Sequence, residues 1–221
     1  MNLPSEIAVS LNPRTVFYAL EVIAIVSFAL SGLVVAQAHK MDVVGTFIAV
    51  FLVSFGGGTL RDLLLDSRPF YWIQHTGLLW MTLIMSVLGA FVLKISSKLV
   101  SNRLALITDA IGLGIFSATG TQTALHFGWP DLPSVMIGVI TATFGGLLRD
   151  IVCHQKPMLL EDPVPYATCA FIGSWVLIGL LSMRWFDVFW SVCIAAALIA
   201  IMRIVVATLD IRMPKLGDEG F

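Results

Sequence analysis

Polar residues are sparse along this chain, and their positions divide it into seven apolar stretches. The first runs from about Thr15 to Gln37 and stops at His39-Lys40-Met41-Asp42, a polar turn short enough to join antiparallel helices. The second starts near Val43 and ends around Asp66-Ser67-Arg68. Pro69 then suits the first turn of a third stretch, where its missing N–H costs no helical hydrogen bond. That stretch ends near Leu93, and Lys94, Lys98 and Arg103 make a basic loop. A fourth covers about Leu104 to Leu125. Pro130 and Pro133 open a fifth near Leu132, which ends around His154-Gln155-Lys156. A sixth takes Val164 to Leu181 and a seventh Phe186 to about Ala207, before a charged tail. Runs of about 20 apolar residues match helices that cross hydrocarbon. The pattern therefore predicts an all-α integral membrane protein with seven transmembrane helices in a single membrane domain over 1–221.

Two of these stretches carry polar groups that hydrocarbon should reject. The second contains Phe55-Gly56-Gly57-Gly58-Thr59-Leu60-Arg61-Asp62, and the fifth contains Phe144-Gly145-Gly146-Leu147-Leu148-Arg149-Asp150. Aligning Arg61 with Arg149 sets an offset of 88 residues, at which Gly57, Gly58, Leu60 and Asp62 match Gly145, Gly146, Leu148 and Asp150. The register holds without a gap to Pro69 and Pro157, with Arg68 on Lys156. It also runs backwards, pairing Glu21 with Asp109, Phe28 with Phe116, Ser31 with Thr119, Gly32 with Gly120 and Ala36 with Ala124. Spans one to three (about 15–94) thus correspond to spans four to six (about 103–182), with the seventh (about 186–207) outside the repeat. Three spans is an odd number, so the second copy enters the membrane from the opposite face. The arrangement is an inverted 3+3 repeat plus one helix.

Paired glycines at corresponding positions predict broken helices 2 and 5, because glycine relaxes the backbone and a break exposes polar groups. Hydrocarbon tolerates such a break only where it lines water or is buried in protein. Gly56, Gly57, Gly58, Gly145 and Gly146 are accordingly the candidate pore or hinge residues. Gly32 and Gly120 stand at positions that suit close helix packing. Adjacent residues on a helix point about 100° apart, so Arg61 and Asp62 should pair poorly with each other. Inverted symmetry suggests an exchange, Arg61 with Asp150 and Arg149 with Asp62; the alternative is that both dipeptides sit at the water interface as stop signals. Glu21 and Asp109 read as lone intramembrane acids, able to attract a cation, carry a proton or reach interfacial water. Ser27, Ser31, Thr119, Thr121, Gln122, Thr141 and Thr143 offer groups for an aqueous path, or bonds to their own helices.

Composition narrows the class further. The chain is 58% hydrophobic and 12% charged, with mean hydropathy +0.93. Its net charge of −1 gives no basic stripe for nucleic acid. Cys153, Cys169 and Cys193 form no CxxC or zinc spacing and read as small core residues. The stretch from Val16 to Ala36 is too long for a leader's apolar region and carries Glu21, so it reads as a span rather than a cleaved signal. Tyr71, Trp72, Trp129, Trp185 and Trp190 fall near span ends, as an interfacial aromatic belt requires. With Arg61 and Arg149 set aside, Arg14, Arg68 and Arg184 lie on the side of the N-terminus. Lys40, Lys94, Lys98, Arg103, Lys156, Arg203, Arg212 and Lys215 lie opposite. The positive-inside rule then puts the N-terminus outside and the C-terminus in the cytoplasm. No Walker loop, GxSxG or HExxH occurs, and His39, His75, His126 and His154 are scattered, so no enzyme and no resident cofactor is expected.

The sign of a permeant species stays open on these residues alone. Carbonyls released before a break, from Val53, Ser54 and Phe55, favour K+ or Na+, whereas N–H groups after Gly58 and unneutralised arginines favour an anion or a carboxylate. The doubled motif, over about residues 15–208, resembles the prokaryotic branch of the trimeric intracellular cation channel (TRIC) family, also described as proteins with two tandem glycine transporter domains. That resemblance implies a homotrimer in the inner membrane, in contact with lipid, with a K+-permeable pore in each protomer beside the kinked helices. Phe144 replaces the first glycine in the second motif, so the two kinks need not be equal. The expected function is a passive monovalent-cation channel; the alternative is a secondary transporter for a small amino acid such as glycine.

Overall fold

A backbone in hydrocarbon must satisfy its N–H and C=O groups internally, and helices do this within one segment. The structure, a computed structural model, describes residues 13–95, 101–161 and 165–212; Lys98, Val164 and both chain ends lie outside them. Among the described residues all regular structure is helical. In order the helices are α1 (Pro13–Ala38), α2 (Val43–Leu64), α3 (Tyr71–Gln74), α4 (Thr76–Ile95), α5 (Asn102–His126), α6 (Asp131–Val152), α7 (Met158–Glu161), α8 (Ala167–Met183) and α9 (Val188–Thr208). Five of them, α1, α2, α5, α6 and α9, are long and apolar enough to cross a membrane, and α4 and α8 contain shorter apolar helices.

Local chemistry fixes the ends. The Asp42 side chain accepts from the Gly45 N–H and caps α2, while Lys40 takes the left-handed conformation (φ 53°) that turns the chain after α1. Gly128 does the same after α5, with φ 80°. Pro69 does not open the third long helix as its sequence position suggests. The chain first makes the one-turn α3, whose leading N–H, from Tyr71, is held by the Asp62 carboxylate at 2.8 Å, and α4 begins only at Thr76.

The larger difference concerns the glycines. They predict a break, yet α2 runs unbroken through Gly56-Gly57-Gly58 and α6 through Gly145-Gly146. The carbonyls of Val53, Ser54 and Phe55 therefore remain inside a helix rather than being released. What the glycines permit is approach. A Cβ on Gly57 would collide with the carbonyl oxygen of Thr141 on α6, and a Cβ on Gly145 with that of Val53 on α2. Glycine costs a helix interior about 1 kcal/mol relative to alanine, and the close crossing offsets it through packing. Gly32 and Gly120 also stand at contacts, against Val50 and Val53 and against Gly138 and Thr141.

These contacts carry the repeat. Val53 and Thr141 are 88 residues apart, as are Gly57 and Gly145, so the two collisions exchange under the sequence offset. The bounds of α2 and α6 coincide under it, and Asp66 (φ 50°) and His154 (φ 53°) turn the chain alike after each. Phe28 and Phe116, themselves equivalent by the offset, meet each other with ring centroids 5.3 Å apart. Helix α5 packs against α1, α6, α8 and α9, and α9 has no equivalent in the first copy.

Alanine at Gly57 or Gly145 must push two backbones apart, whereas Gly58 has only Arg61 Nη2 near its missing Cβ, at 4.0 Å. Thermal unfolding in detergent should show G57A and G145A destabilised by about 1–3 kcal/mol, the range for overpacking. G58A should fall within about 1 kcal/mol of wild type; equal losses at all three positions would contradict the crossing.

Candidate functional site

Arg61 and Arg149 stand in the last turns of α2 and α6, not at mid-helix, where the exposed carbonyl ends of a helix favour a cation. Both are nonetheless buried, at 4% and 1% exposure, so neither is an interfacial stop signal with its charge in water. A guanidinium removed from water is tolerable only with close counter-charges and filled hydrogen bonds. Arg61 meets Glu21 Oε1 through Nη1 at 3.0 Å and Asp62 Oδ1 through Nε at 2.9 Å and Nη2 at 2.8 Å. Arg149 repeats this arrangement. Its Nη1 reaches Asp109 Oδ1 at 2.8 Å, and Nε and Nη2 reach Asp150 Oδ1 at 2.9 and 2.8 Å. Its Nη1 also donates to Ser31 Oγ at 2.7 Å, a bond that crosses from one copy to the other.

The exchanged pairing of Arg61 with Asp150 and of Arg149 with Asp62 is therefore not what forms. Each arginine pairs within its own copy, with the acid 40 residues earlier and with its chain neighbour. The 100° angle between neighbouring Cβ directions is overcome because the long arginine side chain folds over the short aspartate, whose Oδ1 receives both Nε and Nη2. The second aspartate oxygen looks forward. Asp62 Oδ2 takes the Tyr71 N–H, and Asp150 Oδ2 the Met158 N–H at 3.1 Å. Each Arg-Asp dipeptide thus ties three consecutive segments together: the preceding long helix through Glu21 or Asp109, its own helix end, and the one-turn helix that follows. Glu21 and Asp109 are not lone acids. Each cluster holds one guanidinium and two carboxylates, one formal negative charge in excess when both acids are ionised.

Most of the hydroxyls expected along an aqueous path turn inward. Thr119, Thr121, Thr141 and Thr143 donate to carbonyls four residues back on their own helices, Ile115, Ser117, Ile137 and Val139, a common resting place for helical threonine. Ser54 donates to the Ile25 carbonyl at 3.4 Å. Gln122 alone of this group keeps a buried carbonyl oxygen without a partner. Gly56 packs on Leu148, Gly58 leaves space beside Arg61, and the missing Cβ of Gly146 would stand 3.1 Å from Tyr166 Oη and 3.8 Å from Arg149 Nη2 and Asp109 Oδ1.

A cavity reaches the second cluster, and bulkier side chains stand at the equivalent places beside the first. A cavity of about 350 Å³ between the end of α1 and the start of α5 is lined by Ser31, Asn102, Asp109, Arg149, Gln155 and Met158, among others. Asp109 Oδ2, buried and without a hydrogen-bond partner, belongs to a residue of that wall. Of the lining residues, Ala105, Leu106 and Met158 correspond in the first copy to the bulkier Phe17, Tyr18 and Phe70. There His75 stacks on Tyr71 at 4.2 Å and meets the Tyr18 ring, tilted, at 5.3 Å.

Two participants escaped the sequence reading. Tyr166, at the N-cap of α8, brings its hydroxyl to the Gly146 gap. Arg203 of α9, counted there only as a topology signal, is 2% exposed, with its guanidinium carbon 4.8 Å from the Tyr166 ring centroid. Arg203 has neither the paired glycines nor the adjacent aspartate that singled out Arg149, but a charge inside an apolar span was the signal that could have found it.

Comparison with known proteins agrees with this geometry. The family described as glycine transporter matches the chain twice, over residues 18–94 and 106–182, two copies at the 88-residue offset. A UPF0126 membrane protein of Vibrio cholerae is 34% identical over 160 residues, 72% of this chain and 66% of its own length. The UPF0126 inner membrane protein YadS of Escherichia coli is 32% identical over 157 residues, 71% of this chain and 75% of its own. Crystal structures of a TRIC trimeric intracellular cation channel orthologue from Rhodobacter sphaeroides superpose with a TM-score of 0.80 at 29% identity, covering 89% of this chain and 100% of that one.

The pairing within each copy has a thermodynamic signature. Neutralising one partner, as in R61M or R149M, should cost about 3–5 kcal/mol, because it leaves carboxylates buried without their cation. In double-mutant cycles read by thermal unfolding, Arg61 with Glu21 should couple by about 0.5–3 kcal/mol. Arg61 with Asp150 should be additive; coupling across the copies instead would mean the clusters are wrongly assigned.

Proposed function

This chain belongs to the glycine transporter family and to the TRIC family, and we propose that it is a passive channel for monovalent cations, with K+ as the principal permeant ion. The observation that carries the reading is the buried Glu21–Arg61–Asp62 cluster at one end of the tight helix crossing, which has one carboxylate more than it has arginines. Excess negative charge in a low-dielectric wall concentrates cations and repels anions. The relative from R. sphaeroides is described as a trimeric cation channel, and this chain is taken to assemble likewise as a homotrimer with a pore in each protomer.

In this proposal α1, α2 and α4, then α5, α6 and α8, cross the inner membrane in opposite senses, and α9 makes the seventh span. The two-fold axis lies in the membrane plane, with the N-terminus outside. The cavity at Asp109 then opens to the cytoplasm, and the cluster at Glu21 lies toward the exterior. The pore follows α2 and α6, and it is shut where Gly57 meets the Thr141 carbonyl and Gly145 the Val53 carbonyl. Separating the helices there uncovers carbonyl oxygens directly, since no side chain intervenes. Each carbonyl retains a second lone pair beyond its helical bond, and such oxygens replace part of a cation's hydration.

A carrier for a small amino acid is the second reading, favoured by the family description and by a cavity lined with both an acid and an arginine. The geometry weighs against it. Arg149 already spends Nε and Nη2 on Asp150 and Nη1 on Ser31 and Asp109, leaving no fork for a substrate carboxylate.

Purified protein in planar bilayers separates the two. The channel reading expects discrete single-channel steps in K+ solutions and no saturable glycine uptake by proteoliposomes. Gradient-coupled glycine uptake without such steps would replace it.

A further inference from the structure

The two clusters are equivalent by sequence but not in their surroundings, and Arg203 is the difference. It comes from α9, which has no counterpart in the first copy, and it is 2% exposed. Among the described residues no carboxylate lies within ion-pair reach of it. Nε and Nη1 have no hydrogen-bond partner, and Nη2 reaches only the Met158 sulfur, at 3.9 Å. A guanidinium buried in this way needs negative charge nearby, and two links lead to it. The Tyr166 ring carries the guanidinium on its face and its hydroxyl to the gap beside Asp109 and Arg149. Met158 donates its N–H to Asp150 and lines the cavity with its side chain. Arg203 thus stands one side chain behind the wall of the Asp109 cluster. The residue equivalent to Tyr166 in the first copy is the core residue Leu78, which has neither a ring face nor a hydroxyl for such a link.

We infer that Arg203 cancels the excess charge of the Asp109–Arg149–Asp150 cluster, so that the pore has one negative end, at Glu21, and one neutral end, and passes cations unequally in the two directions. This rests on the channel reading for its readout in current, but the charge balance can be measured without any current. Counting ionised groups, Arg149 and Arg203 oppose Asp109 and Asp150 at one end, while Arg61 alone opposes Glu21 and Asp62 at the other. Cations gather at the Glu21 end, so K+ current from that end toward the Asp109 end is the larger. A residue that acts through the potential of a site must be replaceable by any cation of similar reach, whereas a purely packing role would not discriminate by charge.

The test uses the full-length protein in planar bilayers with equal KCl on both sides, its orientation fixed by a C-terminal tag accessible from one chamber. Wild type is expected to rectify in the stated direction. R203Q should raise current from the Asp109 end about twofold or more and make the curve nearly symmetric, and R203K should behave as wild type. A symmetric wild-type curve overturns the inference without any variant being needed, and so does R203Q that matches wild type, or R203K that matches R203Q. If wild type passes no cation current, the channel reading fails and titration with Tl+ decides the charge balance. R203Q should then bind Tl+ about tenfold more tightly than wild type, and unchanged affinity would overturn the inference.

Discussion

A guanidinium inside a membrane protein dictates its own neighbourhood. Arg61 and Arg149 are each placed in the last turn of a helix that must otherwise be apolar, and each is enclosed. Left alone, such a charge costs several kcal/mol. The chain meets that cost with two carboxylates per arginine, and their positions explain much of the local architecture. The acid 40 residues earlier draws in the preceding long helix. The adjacent aspartate secures the guanidinium with one oxygen and the first N–H of the next one-turn helix with the other. That last bond is why α4 and α8 start late: the chain is held at Tyr71 and at Met158 before it can turn back into the bilayer.

Glycine supplies the complementary constraint. With clusters at opposite ends, α2 and α6 must cross, and a crossing this close is possible only where one helix shows no side chain. Gly57 and Gly145 meet that requirement by facing the Thr141 and Val53 carbonyls. Phe144 in place of a third glycine is tolerated because its equivalent, Gly56, packs on the flexible end of Leu148 rather than on backbone. The two copies can therefore differ at this position while keeping the crossing symmetric.

How much of this was legible in the residues follows from the range of each interaction. The seven apolar stretches and the 88-residue register depend on local composition, and the helix bounds of α2, α6 and α9 fall close to where the polar residues put them. The Arg-Asp dipeptides were recognisable as the unusual feature. Their partners were not, because the direction of a long side chain is decided by packing: Arg61 folds back over its neighbour instead of crossing to Asp150. The glycines were misread for a related reason. A glycine pair allows either a break or a close contact, and only the opposing helix, 88 residues away, decides between them. Thr141 and Thr143 show the same limit, since a threonine in a membrane helix can face a path or its own turn. Here both choose the turn.

Symmetry in the repeat and asymmetry in its setting have different sources. The clusters and the left-handed turns are internal to the copies, and the crossing is made by equivalent residues of each, so duplication preserves them. The surroundings come from residues that duplication does not constrain, the Tyr18, Tyr71 and His75 rings in the first copy and the ninth helix behind Tyr166 in the second. A channel with a true two-fold axis in the membrane plane would present the same potential to an ion from either face. Adding one helix outside the repeat breaks that equality without disturbing any bond the repeat depends on, because Arg203 acts through the Tyr166 ring and the Met158 side chain and not by replacing a member of the cluster. The added helix can therefore tune one end of the pathway independently, while both ends keep the pairing that lets their arginines remain buried.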